Sequence, residues 1–273
     1  MKAIDLFCGL GGWSEGLIAE GYDVIGFDIE AHEYGEHKYP GKLVLQDVLT
    51  IHGSQFKDAA LIVASPPCQE YSYMAMPWTR AKAKAAAIRA DETGQKLADL
   101  NRLFDACFRI QKEASIAAGR HIPMVVENVR GAIPWVGRSR WNFGSFHLWG
   151  DVPALMPLTL NAVKVPSFRF DGSGRSFQTA SVRRTDVASA QKFGHMVEGV
   201  KIKRSEKDKR DHIGAKNGGD WFGSGDDCSE QRRHGSKSIG RKAAAAMIAK
   251  IPLPLSRHIG AVYAGRPISN EAP

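Results

Sequence analysis

Cysteine is scarce in this chain: 273 residues hold only four, Cys8, Cys68, Cys107 and Cys228. None pairs with another at CxxC spacing, and the intervals suit neither a zinc site nor a disulfide framework, so no metal is expected. One reactive thiol among buried structural ones fits the pattern better. Long apolar runs are absent as well. No stretch approaches the ~20 apolar residues that a membrane-spanning helix needs, so no membrane contact is expected. A leader pattern is missing too, since Met1-Lys2-Ala3 runs straight into a strand-like stretch, which predicts a cytoplasmic location. Internal repeats are not found.

Acidic residues are in deficit, 29 Asp and Glu against 37 Lys and Arg, and the imbalance is local. Between Lys164 and Lys242 there are 18 basic and 10 acidic residues, a net charge of +8, which equals that of the whole chain. The remainder is neutral. The basic segment is rich in Gly and Ser and lacks helical or strand periodicity. It reads either as a solvated loop region or as a surface for nucleic-acid phosphates.

The rest of the chain is patterned. Ala3 to Phe7 reads as a short buried strand, followed by Gly9, Gly11 and Gly12, a helix over Ser14 to Ala19, and a second strand over Tyr22 to Phe27 that ends in Asp28. Strand, glycine turn, helix, strand and acid form the layout of a nucleoside half-site, in which the acid accepts the ribose hydroxyls. Leu43 to Leu45 leads to Gln46-Asp47, and Ala60 to Ala64 leads to Ser65-Pro66-Pro67-Cys68, so polar or reactive groups stand at carboxyl ends of strands. Residues 70–92 read as a polar loop with a basic, Ala-rich stretch. Residues 95–118 carry apolar side chains at helical spacing. Pro123 to Val126 is a further buried strand ending in Glu127-Asn128, and Phe143 to Trp149 another. An Ala-rich helix over Ala243 to Lys250 precedes Ile251-Pro252-Leu253-Pro254-Leu255. The alternation predicts an α/β fold with a doubly wound, mostly parallel sheet. The C-terminal helix is expected to pack on the N-terminal half and bring Lys250 near Gly9.

Two residues carry the chemical signal. Cys68 leaves a strand through two prolines, which fix the backbone and hold the thiol rigidly, and a thiol is a strong nucleophile toward an electron-poor ring carbon. A glutamate at the inner end of a buried strand is costly unless paired or functional; near a thiol, Glu127 can hold a proton for a substrate nitrogen.

Asp5-Leu6-Phe7-Cys8-Gly9-Leu10-Gly11-Gly12, Pro66-Pro67-Cys68-Gln69-Glu70-Tyr71-Ser72 and Val126-Glu127-Asn128-Val129, in this order, resemble the motifs of DNA cytosine-5 methyltransferases. The resemblance covers residues 1 to about 150 and Ile251 to Ile259. It implies a Rossmann-like S-adenosylmethionine-dependent methyltransferase fold with a small basic target-recognition region, with residues 1–160 forming the catalytic and cofactor-binding domain, 161–237 that region, and 238–273 a segment packing back. It implies S-adenosylmethionine as cofactor, double-stranded DNA as partner, and action as a monomer in a bacterial or phage-infected cell. Phe7, Gly9, Leu10, Gly11 and Gly12 would wrap the cofactor, with Asp28 and Ile29 at its ribose end, Asp47 at the adenine amino group, and Pro67 and Leu103 packing nearby. Cys68 would be the nucleophile and Glu127 the acid at the cytosine N3 edge, acting on a base flipped out of the duplex. The loop after Cys68, with Arg80, would close over the flipped nucleotide. In the basic segment, Arg183, Arg184, Lys201, Lys203, Arg204, Arg232 and Arg233 would meet phosphates, and Trp221-Phe222 would either wedge into the duplex or pack.

The sequence departs from the family pattern twice. Gly137-Arg138-Ser139-Arg140 stands where the family carries Gln-x-Arg-x-Arg, and it predicts Arg138 and Arg140 at the site, Arg140 near the cytosine O2 or the thiol. Ala249-Lys250 stands where the family places an asparagine near the reactive end of the cofactor. A lysine there is either a surface residue or a partner for a carboxylate, as in carboxy-S-adenosylmethionine, which would make the product 5-carboxymethylcytosine. Two more readings stay open: an RNA cytosine methyltransferase on the same scaffold, and an inactive DNA-binding protein, against which the intact Cys68 and Glu127 argue.

Overall fold

A computed structural model describes residues 1–35, 37–72, 78–155, 242–243, 246–247 and 249–265. In the described residues the apolar runs form strands β1 (Lys2–Leu6), β2 (Asp23–Asp28), β3 (Lys42–Leu45), β4 (Leu61–Ala64), β5 (Met124–Val129), β6 (Trp141–Phe143) and β7 (Phe146–Gly150). They make one mixed sheet in the order β3-β2-β1-β4-β5-β7-β6. The first five strands are mutually parallel, and β7 is antiparallel to both neighbours. The chain moves outward from β1 toward β3 and then returns to β4 beside β1. The carboxyl ends of β1 and β4 therefore flank a switch point, the place where such sheets bind ligands.

Side-chain alternation divides the core between the two faces of the sheet. Ala3, Leu61, Val63 and Val125 face helix α1 (Gly12–Ala19) and the last helix, α5 (Leu253–Tyr263). Ile4, Leu6, Ile62, Ala64, Met124 and Val126 face α3 (Gln95–Ala118) through Phe104, Cys107, Ile110 and Ala114. Because both faces are covered, these strands are mainly apolar rather than alternating, and the buried Asp5 of β1 accepts a hydrogen bond from Ser14 Oγ at 2.6 Å.

The polar loop expected over 70–92 contains a helix, α2 (Trp78–Arg89). Its apolar stripe is Ala81, Ala85 and Ile88, all buried, at i, i+4 and i+7. Alanine supplies high helix propensity and little hydrophobicity, so the segment looks polar although its face is well defined. Arg89 lies over the Trp135 ring of the short helix α4 (Ile133–Val136), 5.3 Å from its centroid. The single strand expected over Phe143 to Trp149 is a hairpin, β6 and β7, turning at Gly144 with φ 59°.

α5 crosses α1 closely. Tyr22 donates its hydroxyl proton to the Gly260 carbonyl at 3.0 Å, and Arg257 Nε meets Glu20 Oε1 at 2.8 Å. At the crossing a Cβ on Gly16 would stand 2.0 Å from Ser256 Oγ and 2.5 Å from the Arg257 nitrogen. Gly16→Ala is therefore expected to push the helices apart at a cost of about 1–3 kcal/mol, read as a lower midpoint of thermal unfolding. Among the described residues no helix is long and apolar enough to cross a membrane. Arg183, Arg184, Lys201, Lys203, Arg204, Trp221, Phe222, Arg232 and Arg233 lie outside the described residues.

Candidate active site

The turn after β1 is built by backbone conformations that glycine favours. Gly9 (φ 49°) and Gly11 (φ 75°) are left-handed, and so is Phe7 (φ 56°), where a side chain makes that conformation costly. A Cβ on Gly11 would stand 2.3 Å from Pro40 Cδ, and one on Gly12 2.4 Å from the Ile251 nitrogen and 2.9 Å from Lys250 Cγ. A Cβ on Gly9 would meet nothing within 4 Å, so the turn is tight on its inner side and open above Gly9. Leu10 is buried.

Asp28 ends β2 beside this opening. Its Oδ2 accepts the Gly9 N–H at 2.9 Å and its Oδ1 the Ile29 N–H at 2.8 Å. A carboxylate has about four acceptor positions, so capacity remains for two hydroxyls. Ile29 is 72% exposed and Leu45, which pairs with Asp28 across β2 and β3, is 60% exposed. Asp47 follows at the end of β3 and caps a 3-10 turn by accepting the Leu49 N–H at 2.9 Å. Open space over Gly9, spare acceptors on Asp28 and an uncovered apolar residue beside them fit an adenosyl group: sugar on the acid, flat base on the aliphatic side chain. Leu103, on α3, is half-buried.

Cys68 and Glu127 stand at the carboxyl ends of β4 and β5, adjacent parallel strands. Asn128, fully buried, donates from Nδ2 to the Pro66 carbonyl at 3.0 Å, which ties the proline turn to β5. The Cys68 carbonyl accepts the N–H groups of Tyr71 (3.0 Å) and Ser72 (2.9 Å), winding the following residues into a turn. The Tyr71 hydroxyl lies 3.0 Å from Asn101 Oδ1, and Asn101 Nδ2 donates to the Trp135 carbonyl at 2.9 Å. Lys84 of α2 bonds the Glu70 carboxylate two residues past the thiol. The thiol-bearing loop is thus fastened to β5, α3, α4 and α2. Pro67 is exposed within it.

The electrostatics favour a neutral resting pair. Burial pushes the Glu127 carboxyl up to about 8, opposed by a hydrogen bond from Ser65, with no cation among the described residues acting on it. Burial, and then the negative charge of Glu127, push the Cys68 thiol up to about 11. At neutral pH the site therefore holds a thiol and a carboxylic acid. A substrate that takes the carboxyl proton onto a ring nitrogen can accept the sulfur on a ring carbon.

Residues 1–85 match the sequence model of the family described as C-5 cytosine-specific DNA methylase. The likeness to that family covers the first 85 of the 273 residues. The matched residues contain the glycine turn, Asp28, Asp47 and Cys68. Among solved structures, a protein encoded within an E. coli prophage and described as a DNA modification methyltransferase is 24% identical, with 49% of this chain aligned to 33% of that one and a TM-score of 0.33. The chain thus spans about a third of that protein's length. The S. pombe Dnmt2 methyltransferase is 12% identical over 97% of this chain and 98% of that one, TM-score 0.46. The methyltransferase EhMeth of Entamoeba histolytica is 12% identical over the same shares, TM-score 0.40. No curated protein matches the chain.

The placement of the two arginines differs from the sequence expectation. Arg138 and Arg140 are exposed and precede β6, the edge strand. The Arg140 N–H donates to the Leu148 carbonyl of β7 at 2.8 Å, and its charge acts on Tyr263, whose hydroxyl donates to the Asp151 carbonyl. β7 stands between β6 and β5, so the backbone before β6 is two strand spacings, about 10 Å, from that of Glu127. The alternating arginines belong to a hairpin that the sequence does not announce. The strand opposite Glu127 presents Leu148.

Lys250 lies against the glycine turn, at Gly12 rather than Gly9. It is not in open solvent: its side chain is 20% exposed, and its ammonium meets Glu15 Oε1 at 2.5 Å. Ala249 beside it is exposed, as is Arg80 on α2. Two polar residues of the site carry no signal in the sequence beyond their position. Ser65 precedes the prolines, and Trp13, buried in the first turn of α1, donates to Ser65 Oγ at 3.0 Å.

Proposed function

We propose that the protein transfers a methyl group from S-adenosylmethionine to C5 of cytosine in double-stranded DNA, acting on a base flipped out of the helix. The observation that carries this reading is the pairing of Cys68 and Glu127 at the ends of adjacent strands, next to the glycine turn and Asp28. Phe7, Gly9 to Gly12, Asp28, Ile29, Asp47, Pro67 and Leu103 would hold the cofactor, which supplies an electrophilic methyl carbon. Cys68 would give up its proton to solvent and add its sulfur to C6 of the base while Glu127 passes its proton to N3. The added electron pair would make C5 nucleophilic, and C5 would take the methyl carbon as that carbon's bond to the sulfonium sulfur breaks, leaving a neutral thioether. Loss of the C5 proton and expulsion of the Cys68 sulfur restore the aromatic ring, and N3 returns its proton to Glu127. Residues 161–237 would form the recognition region and neutralise phosphates with Arg183, Arg184, Lys201, Lys203, Arg204, Arg232 and Arg233, helped by Arg80.

The carboxymethyl alternative rests on Lys250, which stands beside the glycine turn. Its ammonium is already balanced by Glu15, so the pair is close to neutral and does not repel an ordinary sulfonium. The ion pair therefore supports methyl transfer, and a cofactor carboxylate would have to displace Glu15. Nucleoside mass spectrometry decides among these readings. Duplex DNA and a structured RNA are incubated separately with the protein and S-adenosylmethionine or its carboxy analogue. The expected product is 5-methylcytosine in DNA. 5-Carboxymethylcytosine would transfer the assignment to the carboxy cofactor, modified RNA to an RNA substrate, and no modified base to a binding protein.

A further inference from the structure

The Trp13 indole of the first α1 turn bonds Ser65, and the register of β4 with β5, which pairs Ala64 with Val126, sets Ser65 beside Glu127. The Trp13 side chain is 2% exposed, and its Nε1–H points at Ser65 Oγ at 3.0 Å. An indole N–H donates and cannot accept, so it occupies a lone pair of the serine oxygen. The single hydroxyl proton of Ser65 is then free to turn to the other partner, the Glu127 carboxyl. Little competes for that position. The Ser65 N–H is spent on the Leu6 carbonyl at 3.1 Å, and the next two residues, Pro66 and Pro67, have no N–H to offer. Leu148 stands opposite Glu127 in the neighbouring strand, and among the described residues no cation acts on the carboxyl.

We infer that Ser65 is a positioning residue: oriented by the Trp13 indole, its hydroxyl donates to one oxygen of Glu127 and so leaves the carboxyl proton on the other. The inference rests on the proposed reaction, in which Glu127 must present a proton in one direction. A carboxylic acid free to rotate presents that proton from either oxygen, and each wrong placement is an unproductive complex. The donated hydrogen bond also favours the ionised form, so it offsets part of the effect of burial and keeps the acid ready to release its proton. The indole strengthens the serine as a donor because linked hydrogen bonds polarise one another. Burial alone would yield a stronger hold on the proton and a poorer acid.

Two variants and a conservative replacement test this. Ser65→Ala removes the donor, Trp13→Phe keeps a buried ring and removes the orienting N–H, and Ser65→Thr retains the hydroxyl. The titration of Glu127 is followed by carbon-13 NMR of glutamate-labelled protein, its signal identified by loss in Glu127→Gln. Ser65→Ala is expected to raise the midpoint by about one pH unit, Trp13→Phe to raise it less, and Ser65→Thr to leave it near the wild-type position. In the transfer assay Ser65→Ala should lower kcat by about tenfold, with the cofactor KM unchanged and the alkaline limb of the kcat profile displaced upward by the same amount. A Glu127 midpoint that stays in place in Ser65→Ala and Trp13→Phe overturns the inference. A displaced midpoint in a protein whose wild type makes no 5-methylcytosine overturns the proposed reaction instead, and leaves Ser65 as the group that sets the proton on Glu127.

Discussion

Cys68→Ala is expected to lower the rate of transfer to cytosine C5 by at least about 10⁴-fold while leaving the fold and cofactor binding in place. The turn that carries the thiol is held by other groups: Asn128 Nδ2 on the Pro66 carbonyl, the N–H groups of Tyr71 and Ser72 on the Cys68 carbonyl, and Tyr71 on Asn101. None involves the sulfur, so removing it deletes the nucleophile and little else. Serine at this position should fare no better, because a hydroxyl gives up its proton far less readily than a thiol. Single-turnover transfer of labelled methyl measures the loss, and circular dichroism with cofactor titration checks the fold. A companion measurement identifies the bond. A cytosine bearing fluorine at C5 offers no proton to lose after transfer, so the Cys68 adduct cannot collapse. Peptide mass spectrometry of the trapped complex should find the base on the peptide containing Cys68. Transfer by Cys68→Ala at more than a hundredth of the wild-type rate would exclude this sulfur as the nucleophile.

That the thiol rests protonated does not count against it. Burial and the neighbouring carboxyl hold Cys68 near 11, which protects it from stray electrophiles and metals in the absence of a base. While Glu127 keeps its proton, the repulsive part of this shift is absent. Ionisation of the thiol is thus easiest when the acid is neutral. In the proposed reaction the two groups would be coupled through the base, N3 taking a proton as C6 takes the sulfur. Adjacent parallel strands provide the spacing that this coupling needs, and the buried asparagine between them keeps the two ends in register.

The sheet was legible because its strands are short apolar runs, each followed within a few residues by a glycine, an acid or a proline. The same punctuation marked Gly9, Asp28, Asp47, Cys68 and Glu127, which are strand-end residues with no regular role of their own. Features that depend on contacts distant in sequence were harder to see. The face of α2 is made of alanines, too weakly apolar to register as a stripe. The arginine pair at Arg138 and Arg140 resembled a site motif in spacing, yet a two-residue turn at Gly144 and Ser145 places it before an edge strand. Ser65 and Trp13 meet across fifty-two residues, and only the parity of β4 and the first turn of α1 bring them together. Lys250 was expected near the glycine turn, but its partner was not: Glu15 lies one helical turn past Gly11, on the face that α5 and its preceding residues cover.

Glu127→Gln is expected to slow transfer strongly and to stabilise the protein, and the stabilisation should depend on pH. Glu127 is held near 8 in the folded chain against 4.5 for an ordinary glutamate. Its folded value is raised, so the folded state binds the proton more tightly than the unfolded one. Below about 4.5 both states are protonated and the side chain costs nothing by ionisation. Between about 4.5 and 8 the unfolded chain ionises while the folded chain cannot, and stability falls by up to about 1.4 kcal/mol per pH unit. Above 8 the penalty is complete, on the order of a few kcal/mol. Glutamine has nearly the same shape and no charge, and Ser65 can accept from its amide. The variant should therefore unfold at the same temperature as the wild type near pH 4.5 and at a progressively higher one toward pH 8. Activity should move the opposite way, by about 10²–10⁴-fold at every pH, because an amide can bond to N3 without delivering a proton. Thermal unfolding of both proteins across this range is the test. Equal midpoints at pH 8 would mean that Glu127 ionises freely in the folded chain, and the site would then have no neutral acid to offer cytosine.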